Sequence, residues 1–121
     1  MTPDELKLRT KRFSLMVIDL VERLPSTIAI RVIANQIVKS GTSVGANYRA
    51  VCRARSDREF VAKMNIVIEE ADESLFWLEI LIEKKWIDQS EFDLIWKEGN
   101  ELTAIFVSSL KTVNNRINKL N

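Results

Sequence analysis

Residues 56–83 read Ser56-Asp-Arg-Glu-Phe-Val-Ala-Lys-Met-Asn-Ile-Val-Ile-Glu-Glu-Ala-Asp-Glu-Ser-Leu-Phe-Trp-Leu-Glu-Ile-Leu-Ile-Glu83. Phe60, Met64, Val67, Ala71, Leu75, Leu78 and Ile82 recur along the stretch at steps of three and four. That is the interval at which one face of an α-helix returns, so the stretch predicts a helix over about 57–84 with a single buried stripe. Ser56 followed by Glu59 matches a capping box, in which each side chain satisfies an orphan N–H group of the other.

The same period extends in both directions. On the N-terminal side, Phe13, Met16, Val17, Leu20, Val21 and Leu24 define a first helix. Thr2 is its candidate N-cap, Pro3, Asp4 and Glu5 suit its first turn, and Pro25 ends it. Ser26 or Thr27 caps a second helix carrying Ile30, Ile33, Ile37, Gly41, Val44, Tyr48 and Val51. Within it, Lys39-Ser-Gly-Thr-Ser-Val-Gly-Ala-Asn47 is rich in small residues. It reads as a kink near Ser40–Gly41, or as a place where a neighbouring helix comes close and only a missing side chain fits. The register holds across both glycines, which favours a continuous helix.

Beyond the opening stretch, Lys84 and Lys85 sit at a negative helix end and Asp88 or Ser90 caps a fourth helix. That helix places Phe92, Ile95, Gly99, Leu102, Phe106, Ser109, Val113, Ile117 and Leu120 on one stripe. Four helices, near 4–24, 27–54, 57–84 and 89–119, joined by short turns imply an all-α, antiparallel up-down-up-down four-helix bundle, one domain over 1–121. Only 3 Gly and 2 Pro in 121 residues argue against a turn-rich β fold.

Composition narrows the chemistry. The chain has no His, which removes Ser-His-Asp and Cys-His catalysis, helical Glu-x-x-His di-iron sites, and ribonuclease sites that pair Arg with His. An enzyme is therefore not expected, and neither is a metal or other cofactor. Cys52 is the single cysteine, so no intrachain disulfide forms; it reads as a small packing residue. The opening Met1-Thr-Pro-Asp-Glu-Leu-Lys7 lacks an apolar leader and no apolar run reaches membrane-spanning length, which points to the cytoplasm and no membrane partner.

Charge is unevenly placed. Residues 1–58 carry 11 Lys and Arg against 5 Asp and Glu, net +6; residues 59–121 carry 7 against 12, net −5. Arg31, Lys39, Arg49 and Arg53 share one edge of the second helix, Arg55 and Arg58 extend the cluster, and Lys7, Arg9, Lys11 and Arg12 crowd the first. Either the basic and acidic halves pair within the bundle or between subunits, or the basic edge tracks a phosphate backbone of RNA or DNA. With Tyr48 on the core stripe and no exposed aromatic evident, such binding would be backbone-directed and salt-sensitive.

A second line on the third helix holds Lys63, Ile66, Glu70, Glu73, Trp77 and Ile80. Buried carboxylates need partners, and Lys63, Asn47, Arg49 and Arg53 are the candidates. The expectation is a polar network of Asn47, Lys63, Glu70, Glu73 and Trp77 that fixes helix register or subunit pairing. A carboxylate-only metal site has no nitrogen ligands to support it. Trp77, Trp86 and Trp96, with Phe76 and Phe92, are expected around the turn between the third and fourth helices, as core filling or as part of a protein interface.

Several segments carry a resemblance: Ser40-Gly-Thr-Ser-Val-Gly-Ala-Asn-Tyr-Arg49, Ala54-Arg-Ser-Asp-Arg-Glu-Phe-Val-Ala-Lys63, Glu69-Glu-Ala-Asp-Glu73, Trp77-Leu-Glu79, Lys7-Leu-Arg-Thr-Lys-Arg-Phe13 and Leu24-Pro25. Together they resemble the bacterial "four helix bundle protein" family, also called the 23S rRNA intervening-sequence protein family, over nearly the whole chain. The resemblance implies a four-helix bundle with no assigned catalytic residue. Asn47, Arg49, Arg53, Arg58, Lys63, Glu70, Glu73 and Trp77 match the family pattern. The family is similar to the accessory variability determinant of diversity-generating retroelements, a barrel-like pentamer that binds nucleic acid and a reverse transcriptase. By that likeness the expected protein is a homo-oligomer, a pentamer in the favoured case, with RNA, DNA or a protein as partner. The alternative is a structural adaptor that binds no nucleic acid.

Overall fold

Four helices, α1 (Pro3–Glu22), α2 (Ile28–Val51), α3 (Asp57–Glu83) and α4 (Gln89–Leu120), make up the computed structural model, which describes residues 1–120. No strand occurs among the described residues. Connections over 23–27, 52–56 and 84–88 are too short for anything but antiparallel neighbours. Each helix packs on the next, and α4 returns to α1. The up-down bundle read from the stripes is the observed fold.

The boundaries follow from local chemistry. Thr2 and Glu5 form a full capping box at the start of α1, and Thr27 is the side chain that caps α2. Ser56 caps α3 by accepting from the Glu59 N–H, but the Glu59 carboxylate reaches back to Arg55 instead of closing the expected box. Asp88 accepts from the Glu91 N–H at 2.8 Å, which settles the choice between Asp88 and Ser90. α3 ends in a Schellman turn. The Trp86 N–H donates to the Leu81 carbonyl, the Lys85 N–H donates to the Ile82 carbonyl, and Lys85 adopts φ 60°. Helices one and two stop at Glu22 and Val51, two or three residues short of the expected ends, because their last carbonyls are tied off by tight turns at Arg23–Leu24 and Cys52–Ala54.

One continuous core joins all four stripes, with Phe13, Val17, Ile37, Val44, Met64, Val67, Leu78, Leu102 and Phe106 all but sealed from solvent. Each such side chain contributes roughly 1.5–3 kcal/mol by leaving water. Across the bundle, the Tyr48 and Phe106 rings stack with centroids 5.7 Å apart. Three details differ from the stripes. Leu81, not Ile82, completes the buried face of α3, since i+3 from Leu78 points inward there. Phe76 is exposed, so it does not fill the core, while Phe92 and Trp96 stack beside the turn. Thr10, Ser40 and Ser74 are fully buried polar residues. Each keeps its hydroxyl satisfied on a carbonyl of its own helix, and Ser40 and Ser74 also meet at 2.9 Å between α2 and α3. The place of the Leu120 side chain on the fourth stripe lies outside the described residues.

α2 runs unbroken through Gly41 and Gly45, and close approach accounts for both. A Cβ at Gly41 would lie 2.9 Å from Val17 Cγ2, and one at Gly45 would lie 3.3 Å from Thr10 Oγ1 and 3.4 Å from the Thr10 backbone. Ser14 adds a hydrogen bond to the Gly41 carbonyl at 3.1 Å. α1 therefore lies almost backbone-to-backbone on α2.

Candidate functional site

Close packing of α1 on α2 leaves a shallow floor outside. Thr42, Gly45, Ala46, Arg49 and Ala50 recur at steps of three and one along one face of α2, Arg53 follows in the turn beyond its end, and four of these six side chains are small or absent. Lys7, Lys11 and Ser14 of α1 wall this floor on one side, and Glu59 and Lys63 of α3 close it on the other. The result is an open trough of about 720 Å³ with five cationic side chains and one carboxylate on its rim. From Thr42 to Ala50 the helical part of the floor extends roughly 12 Å at the rise of an α-helix, and Arg53 lies beyond it.

The cations of this trough are little neutralised. Lys7 reaches Asp4 only at 3.9 Å, and Lys11, Arg49, Arg53 and Lys63 make no ion pair among the described residues. Glu59 is turned partly towards Arg55, 3.4 Å away. Elsewhere the two halves of the charge pattern meet directly. Arg9 holds Glu98 through a bidentate pair at 2.6–3.0 Å and Glu101 at 2.5 Å. Arg23 pairs with Glu91, and Arg116 with Asp57 at 2.8 Å. The Arg116 guanidinium draws the Asp57 carboxyl below its usual range, through hydrogen bonding first and charge second. Pairing within the bundle thus consumes Glu91, Glu98 and Glu101 of α4, and the basic surface of α2 is left over.

The sequence-predicted basic edge is divided by this geometry. Arg49 and Arg53 lie in the trough. Arg31 is at the far end of α2, where it reaches Ser26 at 3.4 Å. Lys39 stands beside α3 and acts on Glu70. Arg55 lines a second, smaller cavity with Tyr48 and Cys52, and Arg58 is exposed outside both cavities. Lys7, Lys11 and Lys63 are the trough members that the α2 edge alone does not reveal. The crowd of cations at the start of helix one was the available signal, because an antiparallel hairpin sets that start beside the end of helix two.

The expected polar network does not form within the chain. Asn47 donates to the Ser43 carbonyl of its own helix at 2.8 Å, Lys63 belongs to the trough, and Glu73 is exposed. Glu70 forms no ion pair among the described residues. Its carboxyl is pushed above the usual range by burial and then by Glu73, with Lys39 pulling the other way. Trp77 Nε1 is buried without a hydrogen-bond partner, and Ile66 and Phe76 on the same helix are nearly half exposed. Among the described residues no group of three or more His, Cys, Asp or Glu is placed to hold a metal, and no helix is long and apolar enough to cross a membrane.

Known proteins share the sequence family and the fold. Residues 5–108 match the family described as 23S rRNA-intervening sequence protein. A crystal structure from Bacteroides thetaiotaomicron, described as a protein of unknown function from the S23 ribosomal protein family, superposes with a TM-score of 0.84 at 32% identity. The match covers 92% of this chain and 99% of that one. No curated protein matches.

Proposed function

The chain belongs to the 23S rRNA-intervening sequence protein family, and on that premise we propose that it is a non-enzymatic, homo-oligomeric accessory protein of the cytoplasm that binds nucleic acid through the basic trough. The observation that carries the reading is the trough itself: five cations from three helices, largely unpaired, around one carboxylate. A rigid, water-exposed cluster of this kind attracts phosphate and gains from counterion release. The floor of Gly45, Ala46 and Ala50 offers bases little to hydrogen-bond, so affinity comes from the backbone and not from sequence.

Fluorescence anisotropy with structured RNA and with duplex DNA tests this. Micromolar binding at about 50 mM salt, lost in Arg49→Glu/Arg53→Glu, supports the reading. Absence of binding to either at that salt refutes it.

Self-association draws on a different surface. The exposed Ile66 and Phe76 and the burial-shifted Glu70 lie on α3 away from the trough, where a second copy would cover the apolar atoms. A ring of five is the assembly favoured by the likeness to the retroelement accessory proteins. Light scattering of Ile66→Glu/Phe76→Ser should give monomer mass while the wild type gives a multiple of it. A wild-type monomer would contradict the assembly. An intact oligomer with no nucleic-acid binding would leave the structural adaptor as the function.

A further inference from the structure

Resting on the reading of the trough as a phosphate site, we infer that its substrate is a duplex, held by one of its phosphate strands, and not a single strand. The lining carries the argument. Proteins that hold single strands place aromatic side chains under the bases, and that stacking offsets the cost of ordering a flexible chain. No aromatic residue lines this trough; the ring nearest in sequence, Tyr48, faces the core and is 4% exposed. A single strand laid here would be ordered with nothing to stack on.

A duplex avoids that cost because its phosphates are already fixed. Successive phosphates on one strand lie a few ångströms apart, so about 12 Å of helix floor with Arg53 beyond it spans a short run of them. The helices that carry the cations are fixed in the same way. Arg49 stands in the last turn of α2 and Arg53 in the tight turn that follows it, Lys7 and Lys11 are one turn apart on α1, and α1 is locked to α2 at Gly41 and Gly45. Two fixed backbones meet, and only the Lys and Arg side chains are left to order. Glu59, the single carboxylate on the rim, disfavours a deeper approach on the α3 side and leaves the Arg49–Lys11 side as the main contact.

The test is a set of anisotropy titrations on the full chain at about 50 mM salt. The probes are a mixed-sequence duplex of about 20 base pairs and oligo-dT of equal strand length, with poly-glutamate as competitor. The expected result is at least about tenfold tighter binding to the duplex. Duplexes rich in A·T and in G·C should bind within about twofold of one another, and Arg49→Glu/Arg53→Glu should lose the duplex. Oligo-dT binding as tightly as duplex, and lost in the same variant, would overturn the duplex while leaving the trough as a nucleic-acid site. Poly-glutamate displacing the duplex at equal charge would overturn it in favour of an acidic protein segment. Binding of neither nucleic acid would overturn both the duplex and the reading beneath it.

Discussion

Helix α1 meets its two neighbours in opposite ways. Against α2 the contact is made by absent and small side chains, with Val17 seated over Gly41 and Thr10 over Gly45. Against α4 the backbone contact is sparser: Phe13 reaches across to Gly99 in the core, and the rim is tied by long charged side chains, Arg9 to Glu98 and Glu101, and Arg23 at the end of α1 to Glu91. The cations on the α4 side are spent on the fold. Those on the α2 side are pushed outward by a seam that has no room for them. Packing and charge are therefore one problem here: among the described residues the rim of the α1–α2 seam carries no salt bridge between the two helices and leaves its flanking Lys and Arg available to a ligand, whereas the rim of the α1–α4 seam is tied by salt bridges and does not.

The largest effect should come from forcing the tight seam open. Gly41→Leu places side-chain atoms where a Cβ alone would already lie 2.9 Å from Val17, deep in the core. A loss of about 2–3 kcal/mol in urea denaturation is expected, and an unchanged midpoint would show that α1 is free to shift. Next is the charged seam. Arg9→Ala strands Glu98, whose side chain is only 21% exposed, and should cost about 1–2 kcal/mol while leaving trough binding intact. Parallel loss of binding would mean that the two seams are not separable.

A control lies outside both seams. Lys85 holds a left-handed backbone at φ 60° in the α3–α4 turn, so Lys85→Gly should stabilise by about 0.5–1 kcal/mol without touching either surface. Glu70→Gln should give the smallest shift, under about 1 kcal/mol. The folded carboxyl of Glu70 lies above its usual range, so its ionisation favours the unfolded chain. The gain in Tm from Glu70→Gln is therefore present near neutral pH and vanishes as pH falls below the unfolded carboxylate value of about 4.3. A gain that persisted at low pH would point to packing instead of charge.

The fold was readable because three-four periodicity and caps are local properties. Thr2, Thr27, Ser56 and Asp88 all act as helix starts, and the four stripes meet in one core. Ser40, Ser74 and Thr10 escaped because a polar residue can be buried once it bonds a carbonyl of its own helix, and nothing in the stripe pattern records that bond. The candidate site was half legible. Arg49 and Arg53 follow from helical spacing, but Arg31, on the same edge, is 18 residues from Arg49 and so roughly 27 Å away along the axis. Lys63 was assigned to the acids of its own helix, yet it turns towards α2. Membership of the trough depends on how three helices cross, which periodicity within one helix does not contain.

Arg49 and Arg53 are available to phosphate because, among the described residues, they make no ion pair that holds the fold together. The most direct measurement is the slope of log affinity against log salt for a duplex, taken for the wild type and for Arg49→Ala/Arg53→Ala. Each phosphate contact contributes about 0.9 to the slope, so the double variant should be shallower by about 1.8 with an unchanged Tm. An equal slope in the two proteins would contradict the claim.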